Sequence, residues 1–217
     1  MLYKIRDYFF SHFFTFFSAL LVMYVLINEL SIREFGIYSF LLSILSILII
    51  ASDSGIKNYT INQIQNNEFT LEDIVKKVIS NQIYLIFLLV LAYLILAMTY
   101  KLLGIKTLIF GVSFLLLPIF NPLAGYLQAK QKTNLILVRD FLAGAGQIIG
   151  ILLIWKYKIF SLIYFLPLLK LITLTIFYRL AIDIKFKFFF NKFSDIAIFF
   201  KKLSPFIFLS VMTVLYN

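Results

Sequence analysis

The chain has 217 residues, 62% of them hydrophobic and only 14% charged, with a mean hydropathy of +0.98. A soluble domain is nearer about 45–50% apolar and about 25% charged, so composition excludes a soluble protein and indicates a polytopic membrane protein. At about 20 apolar residues per transmembrane helix, six helices leave no room for a sizeable soluble domain, and any chemistry must sit in the bilayer or in short loops. The absence of Cys excludes disulfides, thiol nucleophiles and Cys-ligated metals, and a single His12 argues against a His-rich metal site or His-based acid–base catalysis. No cofactor and no metal are expected.

Long apolar runs fall at about residues 8–28, 35–52, 78–100, 107–128, 136–156 and 158–178, and a further run begins near Ser204. The predicted fold is therefore all-α, a polytopic membrane helical bundle of six transmembrane helices plus the start of a seventh. Residues 1–178 form the six-helix lobe, 179–203 a basic cytoplasmic or interfacial linker, and 204–217 the opening of helix seven, which the sequence leaves incomplete at Asn217. The first run has no small-x-small cleavage site after it and reads as a retained helix rather than a signal peptide.

The formal net charge of +10 would suggest nucleic acid in a soluble protein. Counted by alternate loops, however, fourteen of the 20 Lys and Arg fall on one side, from Lys4 and Arg6 through Lys76, Lys77, Lys130, Lys132 and Arg179 to Lys202. Five fall on the other side, namely Arg33, Lys101, Lys106, Lys156 and Lys158, and Lys170 lies within a span. The positive-inside rule then places the amino terminus in the cytoplasm, and no nucleic acid is needed to explain the charge. Thr70 followed by Glu72 and Asp73 reads as a helix N-cap leading through Lys76 and Lys77 into the third span. Ser194 and Asp195 open a segment with Ile196, Phe199, Phe200 and Leu203 on one face and Lys201 and Lys202 on the other, ahead of Pro205, an interfacial elbow. The basic and aromatic stretch from Lys185 to Phe190 reads as a solvated or lipid-facing linker.

Polar residues recurring at helical spacing inside spans mark faces turned to other helices or to a water-filled cavity. The first span carries Ser11, Thr15 and Ser18, and the second Gly36, Ser39, Ser43, Ser46 and Asp53; these faces either line one cleft or serve close packing by small residues. The fourth contains Pro118, Asn121 and Pro122, so a kink or broken helix is expected, bordering a cavity or serving packing alone. In the fifth, Asp140, Gly144 and Gln147 share a face, Gly146 and Gly150 form a small-x-x-x-small pair, and Arg139 and Asp140 either enter the bundle or anchor the helix at the headgroups. Lys170 lies about 12 Å from the near end of the sixth span, on one face with Pro167 and Thr173. It either contacts a substrate or ion inside the bundle, or snorkels or pairs structurally; if a cavity is present, Lys170 and Arg139 are the natural partners for an anionic headgroup.

The segment from Glu29 to Tyr38, reading E-L-S-I-R-E-F-G-I-Y, is similar to the L-S-P-E-E-F-G-I-Y turn of the O-antigen flippase and polysaccharide exporter family, with Ile32 where Pro is frequent. Asp53-Ser54-Gly55 resembles the D-x-G step of that family. The stretch from Asn121 to Lys130, followed by Gln131, Lys132 and Thr133, resembles its fourth-span exit. The family belongs to the multidrug, oligosaccharidyl-lipid and polysaccharide exporter superfamily, whose members have two lobes around a central cavity; the resemblance makes this chain the amino-terminal lobe with the first part of helix seven. It implies a non-enzymatic flippase moving undecaprenyl-diphosphate-linked oligosaccharide, an O-antigen or capsule repeat unit, across a bacterial inner membrane by alternating access. On that reading Lys170, Arg139, Gln147, Asn121, Ser39, Ser43 and Thr15 bind substrate, Asp140 and Asp53 couple ions, and Pro118, Pro122 and Pro167 gate. The implied partners are the lipid-linked oligosaccharide, membrane lipid, and a second lobe or other polysaccharide-assembly proteins. The alternatives are a drug or ion exporter of the same superfamily and a polytopic glycosyl- or acyltransferase; the latter would want carboxylates, a His or paired arginines in a substantial loop, whereas the outward connections are short and hold no His and no carboxylate pair.

Overall fold

Apolar side chains around most of each helix circumference leave the backbone with one satisfactory arrangement in lipid, the α-helix, which pairs its own polar groups. The computed structural model describes residues 2–53, 55–102, 104–182 and 193–216, among which no strand occurs. In chain order the helices are α1 (Leu2–Glu29), α2 (Ile32–Asp53), α3 (Ile56–Gln65), α4 (Leu71–Asp73), α5 (Ser80–Thr99), α6 (Ile105–Leu116), α7 (Asn121–Ala129), α8 (Thr133–Tyr157), α9 (Leu166–Ile182) and α10 (Phe193–Tyr216). A π-helical turn, Ile74–Ile79, joins α4 to α5, and 3-10 turns at Leu117–Phe120 and Phe160–Phe165 join α6 to α7 and lead into α9. Six stretches are long and apolar enough to cross a membrane: Phe9–Glu29, Ile32–Gln65, Leu71–Thr99, Ile105–Ala129, Thr133–Tyr157 and Phe160–Ile182. The six-span, all-α expectation agrees with this.

Three features depart from the sequence reading. The second span does not end near residue 52: its helical path resumes as α3, after a break where Gly55 takes φ 75°. A side chain there would be strained by the left-handed backbone and would meet the main chain of Phe206 in α10. The helix that begins at the Thr70 cap does run into the third span, through the capping box in which Thr70 and Asp73 exchange backbone hydrogen bonds of 3.1 and 3.2 Å, but it passes through a π turn on the way. Finally, α10 continues through Pro205 with no break at 203/204. Proline removes the donor to the Lys201 carbonyl, and the Ser204 hydroxyl takes that carbonyl at 2.8 Å. The Lys185 to Phe190 stretch lies outside the described residues.

The most extensive helix pair is α1 with α8, which run parallel. Thr133 donates to Asp7 at 3.4 Å near one end, Phe14 and Phe141 meet edge to face at 4.9 Å, and Trp155 donates to Glu29 at 2.9 Å near the other end. Gly144 permits this approach, since a β-carbon there would lie 3.3 Å from the Phe14 carbonyl. Gly146 and Gly150, on another arc of α8, face Thr173 and Leu166 of α9. The buried side chains form two clusters stacked along the bundle. One, toward Asp7 and Thr133, includes Ile56, Ile74, Leu123, Phe177 and Tyr178; the other, toward Glu29 and Trp155, includes Leu26, Tyr38, Phe110 and Ile163.

Candidate functional site: a polar cavity between α1, α8 and α9

Between the two clusters, in the half of the bundle nearer Asp7, lies a cavity of about 370 Å³. The helix α1 contributes His12, Thr15 and Ser18; α8 contributes Arg139, Asp140, Gly144 and Gln147; α9 contributes Lys170 and Tyr178; Pro118 and Asn121 come from the interrupted fourth span. The i, i+4, i+7 spacing of Asp140, Gly144 and Gln147 brings all three to this cavity, which is the face expected for them.

The ion pair at its centre is built from neighbours in sequence. Arg139 lies 2.6 Å from Asp140, their side chains only 18% and 16% exposed, so this pair enters the bundle instead of reaching for headgroups. The second carboxylate oxygen of Asp140 accepts from the Ser11 hydroxyl of α1, and Arg139 also donates to the Tyr178 hydroxyl at 3.4 Å. The ring of Tyr178 stacks on Phe120 of the 3-10 turn, at 5.4 Å and 6° between planes, so the irregular segment helps fix the guanidinium. A carboxylate committed to a guanidinium and a hydroxyl has little left for a further cation. Lys170 faces the same cavity with Asp140 and Arg139 as its charged neighbours, and its amine makes no hydrogen bond or ion pair among the described residues. Lys57, on α3, adds a third positive charge near Arg139, Asp140 and Asp53. Three cations against two carboxylates make the site suited to an anion.

Asp53 reaches the cavity wall through Asn121, whose amide donates to it at 2.7 Å and ties the end of α2 to the start of α7. The prolines act as local chemistry requires. Pro118 removes the donor to the Phe114 carbonyl, which Leu117 N–H takes in 3-10 register; Pro122 removes the donor to the Pro118 carbonyl, which accepts from Asn121 N–H and, at 2.9 Å, from the side chain of Gln82. Gln82 also reaches the Ser52 carbonyl at 3.4 Å, so its amide nitrogen sits between two acceptors, and its Oε1 is buried without a hydrogen-bond partner among the described residues.

Several expected residues lie elsewhere. Ser39 and Ser43 do not reach this cavity: α2 turns Tyr38, Leu41 and Leu45 inward, and the hydroxyls of Ser43 and Ser46 bond back to the Ser39 and Leu42 carbonyls at 2.9 and 2.8 Å. Pro167 is buried away from it, and Thr173 bonds to the Leu169 carbonyl and packs on Gly146. Conversely, Tyr178, Lys57 and Gln82 were not singled out from the sequence. Tyr178, two helical turns beyond Lys170, had a readable signal in that spacing; Gln82 had none, its main partner being 36 residues away. Among the described residues no group of three or more His, Asp or Glu is placed to hold a metal ion.

These features define a multi-pass helical membrane protein with a cation-rich cavity inside the bundle. The model of the polysaccharide biosynthesis protein family matches residues 5–217, and the chain belongs to that family. No match was found among curated proteins or solved structures.

Proposed function

We propose that this chain works as the amino-terminal lobe of a flippase that carries an undecaprenyl-diphosphate-linked oligosaccharide from the inner to the outer leaflet of a bacterial inner membrane, with its amino terminus in the cytoplasm. The observation that carries the reading is the convergence of Arg139 and Lys170 on one cavity whose nearest carboxylate, Asp140, is already held by Arg139 and Ser11. A diphosphate supplies the missing negative charge, and contacts from ammonium and guanidinium groups to phosphate oxygens are among the stronger polar interactions. Thr15, Ser18, Asn121 and Gln147 line the same space with neutral polar groups suited to hydrated sugar, while the lipid tail stays in the bilayer. The 3-10 turn at Leu117–Phe120 is the segment that repacks between inward- and outward-facing states, and Asp53, held only by the Asn121 amide among the described residues, is the carboxylate left for coupling to an ion, Asp140 being engaged by Arg139 and Ser11. The exposed Ser43 and Ser46 of α2 are then left for a facing second lobe. An excess of cations in the cavity weighs against export of cationic drugs.

The test is Lys170→Gln in the full gene product, expressed at normal level in the source cell. Surface polysaccharide should fall roughly tenfold or more, the worth of one hydrogen bond to a charged group. Unchanged polysaccharide at unchanged protein level would remove Lys170, and with it the diphosphate assignment.

A further inference from the structure

A second cavity, of about 410 Å³, opens at the end of the bundle nearer Asp7, where α3, the π-helical turn and α10 meet. It is separate from the site above and shares no residue with it. Its lining is divided by chemistry. Phe69, Ile198 and Phe199 supply apolar walls, with Phe199 at 6% exposure forming the floor and Ile198 at 55% exposure forming an open edge. Lys76, Lys77 and Lys202 supply amines from two helical segments distant in sequence, against one lining carboxylate, Asp195.

The basic side of this cavity is built and oriented. Lys77 lies 2.8 Å from Asp73 and 5.2 Å from the centre of the Phe69 ring, and Asp73 is itself fixed by the Thr70 capping box. The π turn places Lys76 and Lys77 side by side at the entry of the third span, and Lys202 faces them from α10. A free inorganic anion would gain from the amines and nothing from the aromatic and aliphatic wall. A zwitterionic lipid would gain from the wall while its own cation met the lysines. The arrangement matches an amphiphile with a net negative head and an acyl chain.

We propose that this cavity seats one anionic phospholipid of the leaflet at the amino-terminal end, its phosphodiester among Lys76, Lys77 and Lys202 and the first carbons of its chain against Phe69, Ile198 and Phe199. The bound lipid joins α10 to the π turn, and by mass action it stabilises the docked arrangement.

Native mass spectrometry of the full chain, released from nonionic detergent micelles, tests this with phosphatidylglycerol, phosphatidylcholine and inorganic phosphate as probes. Phosphatidylglycerol should be retained as a single adduct, and the other two should not. Lys76→Gln and Lys202→Gln should each weaken phosphatidylglycerol retention roughly fivefold, the worth of one lysine at an anionic lipid surface. Lys130→Gln, at the same end but outside the cavity, should leave it unchanged, and circular dichroism should show every variant to be as helical as the parent. Ile198→Ser, which removes the wall without touching charge, should also weaken retention. Retention of phosphatidylcholine as strong as that of phosphatidylglycerol, binding of inorganic phosphate alone, or an equal loss in Lys130→Gln would each overturn the proposal.

Discussion

The half of the bundle nearer Glu29 and the half nearer Asp7 share the six spans, with α10 added to the core on the Asp7 side, and are held together by different means. Toward Glu29 the core is aromatic: Tyr38, Phe110 and Tyr164 meet pairwise at 5.2, 5.6 and 5.8 Å, and the Tyr93 hydroxyl donates to the Thr107 carbonyl at 2.6 Å. Toward Asp7 the helices lose their regular register, at Gly55, at the π turn and at Leu117–Phe120, and the buried polar groups there answer the carbonyls so freed. In lipid, irregular backbone is tolerated only where protein buries it or water reaches it; these three breaks lie on the side of the polar cavity, while the 3-10 turn at Phe160–Phe165 is buried against the aromatic core. One half supplies an aromatic core, and the other supplies buried charge and the breaks at Gly55, the π turn and Leu117–Phe120.

The comparison breaks most visibly if the aromatic half is opened. Phe110→Ala removes a fully buried ring, and the expected cost is about 3 kcal/mol, the low end for large-to-small core changes because lipid lowers the transfer term. Unfolding by dodecyl sulfate titration should show this loss, while lipid-diphosphate binding by the folded fraction stays at the parent level. Weakened binding would mean that the two halves are not separable.

In the polar half, Asp140→Asn removes the charge that holds Arg139 and weakens the contact to Ser11. The pair is partly exposed, so a loss of about 2 kcal/mol is expected, below the range for fully buried pairs. Anion binding should not fall, because two cations are left less compensated. Lys170→Gln supplies the contrast: it breaks no bond among the described residues, so stability should hold within about 0.5 kcal/mol while anion binding drops. If both variants lost stability equally, Lys170 would be a structural cation and not a ligand group.

Gly55→Ala tests one register break directly. Positive φ alone costs about 1 kcal/mol for a side chain, and contact with the Phe206 main chain adds to it, so α10 should loosen before the rest of the bundle. Limited proteolysis should show cleavage rising in α10 first; uniform sensitivity across the chain would argue that α10 and α3 unfold with the core.

Much of the fold was legible because length and hydropathy act locally. Six apolar runs give six spans, Thr70 with Asp73 gives a cap, and two prolines four residues apart give an interrupted helix. The continuation of the second span was not legible, because Lys57, Asn58, Asn62 and Gln63 read as a loop while Ile56, Tyr59, Thr60 and Ile64 on the same ten residues are buried. For the site, spacing along α8 placed Asp140, Gly144 and Gln147 on one face, which is a property of a single helix. Ser39, Ser43 and Ser46 obey the same spacing, yet the hydroxyls of Ser43 and Ser46 bond to their own helix, so a polar stripe of serines does not say what it faces.

Gln82 is the sharpest of these cases, and its variant should have the smallest effect. Gln82→Leu removes one donor from the Pro118 carbonyl, which keeps its bond from Asn121 N–H, and the long contact to the Ser52 carbonyl, and it also removes Oε1, an acceptor buried without a partner among the described residues. The two changes oppose each other: a neutral hydrogen bond contributes about 1 kcal/mol, and an unmet buried acceptor costs about 1–3 kcal/mol. Stability should therefore shift by less than about 1 kcal/mol in either direction. The carbonyls of Ser52 and Pro118 nevertheless belong to the two interrupted spans, and Gln82 is the side chain that reaches both. Amide exchange at Leu117–Phe120 should then quicken without a matching change in global unfolding. A loss near 3 kcal/mol would instead show that Oε1 holds a partner such as an internal water, making the glutamine part of a larger polar network through the register breaks.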